Sequence, residues 1–208
     1  MIKALLLIFD PIATWDGIVR AQRSLVSILL IFLLPLLLLT SACEGYGLVH
    51  WGKLQSDVVR LKKFSVSEAL IIEAVQLLLS LAVVFAGTKL VKSIGETFRG
   101  RHTYTQAFGT VAYSLSPLFL LRLLDAFNGV NPWLTWAVGI MLSVATLYHG
   151  VPRMMEPDPS HAFGLYLMSA LLLAMVTALA RFLTAWYLSG KFPLLQQIVS
   201  DLIARLPS

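Results

Sequence analysis

The stretch "VAYSLSPLFLLRLLDAF", Val111–Phe127, decides the fold. Most of it suits hydrocarbon, yet it carries Ser114, Ser116, Pro117, Arg122 and Asp125. A membrane helix tolerates a proline when nearby hydroxyls satisfy the backbone groups it frees, and the two serines are placed to do this. Arg122 lies near one end of the stretch, where a long side chain can reach toward the interface. Asp125 follows three residues later, one turn away and within pairing distance. The segment therefore reads as a transmembrane helix bent at Pro117.

The rest of the chain supports a membrane reading. Of 208 residues, 58% are hydrophobic and 13% charged, whereas a soluble domain averages about 25% charged. Mean hydropathy is +0.80. The expected architecture is all-α: one polytopic membrane domain over residues 1–208, built from five spans. These fall at about 25–42, 66–90, 105–127, 132–150 and 161–188, each long enough for a bilayer. The turns "NGVNP" (128–132) and "VPRMMEPDP" (151–159) separate the last three. The formal charge of +5 suits lipid headgroups better than nucleic acid, so the expected partner is the lipid bilayer. Cys43 is the sole cysteine and excludes an intrachain disulfide. "LLLLTSAC" (36–43) ends like a lipoprotein signal, but it lies too far along the chain, and a retained span is expected.

Short amphipathic helices flank the spans. After Asp10-Pro11, the residues Ile12, Trp15, Ile18 and Val19 share one face. After Pro193, so do Leu195, Ile198, Leu202 and Leu206. Each either lies in the membrane plane or packs as an ordinary helix. Arg20, Arg23 and the basic loop "KLVKSIGETFRGR" (89–101) favour an N-terminus on the cytosolic side.

Ionisable residues inside spans are costly, about 2.5–3.5 kcal/mol at a helix centre by insertion scales. Glu73, Arg122, Asp125 and Arg181 form such a set, and Gln76 and Ser80 continue the Glu73 face. Glu73 and Arg181 fall about 10 Å deep on the same side of antiparallel spans, so they are expected to face each other. The cluster is either a structural lock or a pocket open toward the outer side. Thr135, Gly139, Ser143, Thr146 and Gly150 line one face of the fourth span, and Ala170, Ala174, Ala178 and Ala185 one face of the fifth. Both stripes read as close packing. The sequence carries no H-E-x-x-H, G-x-S-x-G or P-loop. His50, His102, His149 and His161 lack ligand spacing. A non-enzymatic protein with no cofactor and no metal site is expected.

Three pieces resemble the Yip family, the Ypt/Rab-interacting membrane proteins, in its bacterial form. They are "GRHTYTQAFGTVAYSLSPLFLLRLL" (100–124), "LYHGVPRMMEPDPSHAFG" (147–164) and "FDPIATWDGI" (9–18). The resemblance implies five membrane helices and a cytosolic N-terminus. Eukaryotic relatives are linked to Rab GTPases and early secretory membranes, and they carry a long cytosolic N-terminal region without counterpart in this sequence. The expected role is therefore membrane organisation or partner binding in a bacterial cytoplasmic (inner) membrane, with other membrane proteins or further copies of itself as partners. The alternative is a small-solute or ion transporter or channel that uses the charged pocket.

Overall fold

The computed structural model describes residues 2–55, 60–98, 102–127 and 129–188. The amphipathic segment expected after Pro193 lies outside the described residues.

Five helices are long and apolar enough to cross a bilayer: Leu25–His50, Val66–Thr97, Tyr104–Ala126, Pro132–Met154 and Ala162–Tyr187. They are called the first to fifth spans below. The third is the axis of the bundle. Its most apolar window is 72% buried, against 28–44% for the others, and it touches the first, second and fourth spans. The fifth closes the bundle against the second and fourth. A small antiparallel hairpin, β1 (Lys53–Gln55) with β2 (Arg60–Lys62), joins the first two spans and adds to the helical expectation. The hairpin marks one face of the molecule; the end of the second span at Thr97 and the start of the third at Tyr104 mark the opposite face, the 98–104 face.

Local chemistry sets the span ends. Ser65 and Glu68 form a reciprocal capping box at the start of the second span, with Glu68 N donating to Ser65 Oγ at 3.2 Å and Ser65 N to Glu68 Oε2 at 2.9 Å. Thr103 and Gln106 do the same for the third span. Asn131 caps the fourth, with Pro132 at its first helical position. The first span contains a π-helical turn at Ile28–Leu33 directly before Pro35. Proline lacks an N–H and crowds the turn before it, and a wider turn relieves both. The first span also runs on past Ala42 to His50, well beyond its apolar run.

The third span is interrupted at Leu115, between helices Tyr104–Ser114 and Ser116–Leu121, and it finishes as a 3₁₀ turn at Arg122–Ala126. Each backbone group that Pro117 disturbs finds a partner. Ser116 Oγ donates to Tyr113 O at 2.7 Å. Leu118 N donates to Ser143 Oγ at 3.3 Å, and Thr146 Oγ1 donates to Ser114 O at 3.1 Å. The Ser114 hydroxyl takes no part; that residue contributes its carbonyl. The polar members of the fourth-span stripe thus bond to the broken helix as well as packing on it.

Two helices precede the spans. Helix α1 (Ile2–Phe9) lies against the third span, and α2 (Pro11–Ala21) against the fourth. Trp15 is fully buried, and its Nε1 donates to Thr146 O at 3.0 Å. The ring fits because residue 150 is glycine: a Cβ there would fall inside the indole. Asp16 accepts from Arg153 Nε at 2.9 Å beside it. The Trp15–Ile18 face of α2 is therefore a packing face, while Ile12 stays exposed.

The hydroxyl of Ser143 is predicted to matter where that of Ser169 does not. Ser143→Ala leaves the buried Leu118 N–H without a partner and should cost about 1–3 kcal/mol. Ser169 Oγ is buried without a hydrogen bond, so Ser169→Ala should be neutral or stabilising. Thermal unfolding of both variants in detergent checks this; equal losses would disprove the assigned role of Ser143.

Candidate functional site

The buried charged residues gather in the half of the bundle nearest the hairpin. The 3₁₀ turn that ends the third span places Arg122 and Asp125, with 9% and 6% of their surface exposed. Their charges are met from different directions. Arg122 Nη2 donates to Glu44 Oε2 of the first span at 2.8 Å, and Nη1 donates to Ser80 Oγ of the second at 3.0 Å. Asp125 Oδ2 accepts from Arg181 Nη2 of the fifth span at 2.8 Å, and Oδ1 accepts from Thr135 of the fourth at 2.6 Å. Arg181 also donates to Pro132 O at 3.0 Å. Gln76 Oε1 accepts from Thr184 at 2.9 Å, which ties the second span to the fifth. The cluster touches all five spans.

Glycine makes one half of this geometry feasible. A Cβ on Gly47 would lie 2.8 Å from Ala126 Cα, so the first span meets the 3₁₀ turn backbone to backbone. Glu44, one turn earlier on the same face, is thereby brought onto Arg122.

The expected contact between Glu73 and Arg181 is replaced by another. Arg181 pairs with Asp125, and Asp125 pairs with Arg181 and not with Arg122. The depths differ: Gln76 meets Thr184 and Gly87 meets Leu173, so Arg181 is level with Leu79, and Glu73 stands nearer the hairpin. Glu73 is buried against Gly45 of the first span. The residue one turn after it, Gln76, is the one that bonds to the fifth span. Glu44 escaped the sequence reading because it stands beyond the apolar run, in "ACEGYG". The spacing of Glu44 and Gly47, one helical turn apart, was the available signal.

A cavity of about 60 Å³ lies within the cluster, bordered by Gln76, Arg122, Asp125, Thr135, Trp136 and Arg181. Arg122 Nε and Trp136 Nε1 are buried there without a protein acceptor. Leu79, Val83, Leu118 and Phe119 supply an apolar part of the wall, and the volume leaves room for a few water molecules beside the polar groups. The other half of the bundle is differently filled. Leu33, Leu36, Val84, Val91, Phe108, Val111, Leu115, Leu147, Leu165 and Leu173 are each at most 1% exposed, and they close the interior between the cluster and the 98–104 face. Among the described residues no group of three or more His, Cys, Asp or Glu is arranged to hold a metal ion.

Asp125→Asn and Arg181→Gln should each lower stability by about 3–5 kcal/mol, because each strands a buried charge. The double variant should lose clearly less than the sum. Glu73→Gln combined with Arg181→Gln should instead be additive. Thermal or denaturant unfolding in detergent supplies the two cycles; additivity for Asp125 with Arg181 would refute their coupling.

No curated protein and no solved structure matches the chain. One family model does, that of the Yip1 domain, over residues 5–181. That stretch takes in α1, α2, the first four spans and the fifth span as far as Arg181, the last member of the charge cluster. This chain is an integral membrane protein of the Yip1 family.

Proposed function

We propose that the protein is a non-enzymatic organiser or partner-binding protein of a bacterial cytoplasmic membrane, with its N-terminus and the 98–104 face on the cytosolic side. The observation that carries this reading is the closed state of the polar cluster. Both guanidiniums are engaged in pairs between spans, and packed apolar side chains separate them from the opposite face. Such a cluster stabilises a bundle and offers no route across it. Partner binding has a matching surface. A groove between the first and second spans, about 740 Å³, is lined by Leu38, Ala42, Gly45, Ala69, Ala74 and Leu78. Its small residues allow a helix from a membrane partner to approach closely.

The transporter reading keeps one supporting observation, the cavity beside Arg122 and Asp125. Purified protein in proteoliposomes separates the two. The organiser reading expects no sodium, potassium, chloride or proton flux above protein-free vesicles. It also expects Ala74→Cys, in a Cys43→Ser background, to cross-link to another membrane helix in native membranes. Flux that Arg122→Gln abolishes, with no cross-link at Ala74→Cys, would replace this proposal with transport.

Orientation has its own test. In the same background, Ser93→Cys should react with an impermeant thiol reagent only from the cytosolic side, and Lys63→Cys only from the other. Labelling of both from one side contradicts the assignment of faces.

A further inference from the structure

A second pocket, of about 350 Å³, lies at the 98–104 face, away from the charge cluster. Its position is set by span ends. Arg23 stands just before the first span, Thr103 caps the third, and Met154 ends the fourth. Those ends fix the pocket at the level of the lipid headgroups. Its lining is two-sided: Ile18, Ile28 and Met154 are apolar, while Arg23, Arg153 and Gln106 are polar. A pocket of this size with a few convergent polar groups is the expected form of a small-ligand site.

The charge of the lining selects the ligand. Arg153 is paired with Asp16. Arg23 has no ion pair among the described residues, and the nearby charge that acts with it is another cation, Lys3. Burial and the Arg23 guanidinium together hold the Lys3 amine below its ordinary value. Two like charges side by side, one partly buried, are relieved by an anion. Glu156 also borders the pocket and, like Arg23, is exposed.

The backbone shapes the rim of the pocket. Gln22 (φ 40°) and Glu156 (φ 42°) are the two non-glycine residues with positive φ among those described, and both line this pocket. Both are the left-handed residues at which α2 and the fourth span end, a common helix termination. Gln22 turns the chain from α2 into the first span, which sets Arg23 at the rim.

We propose that this pocket binds the phosphate headgroup of an anionic phospholipid from the adjacent leaflet. Arg23 and Arg153 hold the phosphate, and the Ile18–Ile28–Met154 wall contacts the glycerol and first methylenes. Guanidinium groups suit phosphate because their parallel N–H donors match its oxygens.

Full-length protein released from detergent is titrated with phosphatidylglycerol, phosphatidylcholine or inorganic phosphate, and bound species are counted by native mass spectrometry. Phosphatidylglycerol should be retained over phosphatidylcholine. Arg23→Gln should weaken that retention about fivefold, the worth of one basic residue near an anionic surface. Because Arg23 is exposed and unpaired in the fold, the variant should keep its melting temperature. Thr105→Phe, which fills the pocket without changing charge, should weaken retention as well. Equal retention of the two lipids, or retention unaffected by both substitutions, overturns the proposal. So does inorganic phosphate that competes fully with phosphatidylglycerol, since that makes the site one for a soluble anion.

Discussion

In hydrocarbon, a backbone amide or carbonyl that loses its helical partner must find another within the protein. The third span meets this constraint at Pro117, and much of the bundle follows from how it does so. The carbonyls of Tyr113 and Ser114 and the amide of Leu118 are satisfied by Ser116, Thr146 and Ser143. Two of those three hydroxyls belong to the fourth span, so the break is stable only while the fourth span lies alongside. The same break lets the chain tighten to a 3₁₀ turn that carries Arg122 and Asp125. A straight α-helix would present these two residues at a different angle.

The charges extend the arrangement. Arg122 draws in the first and second spans, and Asp125 the fourth and fifth. Buried ion pairs are weak evidence for net stability, since desolvation offsets much of the attraction. Their value here is in registration. A rotation of the first span that moved Glu44 away from Arg122 would leave two charges unpaired at a depth where neither is well hydrated. Gly47 adds a steric condition, because its face alone allows backbone contact with Ala126.

Much of this was legible in the sequence. The apolar runs specify the five spans, and the Ser-Leu-Ser-Pro step specifies a break repaired by hydroxyls. The charged residues betray a cluster by their cost in lipid. The pairing was not legible, because position along a helix follows from counting, whereas pairing depends on how neighbours shift and rotate. Counting from the span ends puts Arg181 level with Glu73, but the packed helices are offset, with Gln76 beside Thr184, and this brings Arg181 to Asp125. Glu44 was hidden for a different reason. The first helix continues beyond its hydrophobic run, so a residue that looked like loop stands inside the bundle. The π-helical turn before Pro35 likewise follows from a proline whose local effect the hydropathy pattern conceals.

The ion pair between Asp125 and Arg181 joins residues far apart in synthesis. The third span is among the least hydrophobic of the five, with mean hydropathy 1.4, and on leaving the ribosome it carries an aspartate whose partner does not yet exist. Arg181 arrives with the final span. Until then Asp125 is unpaired, and the third span is poorly suited to lipid on its own. Neutralisation of the Asp125 carboxylate thus waits for the fifth span, so a product truncated before it would retain an exposed intramembrane carboxylate of the kind by which quality control can recognise an unfinished membrane protein.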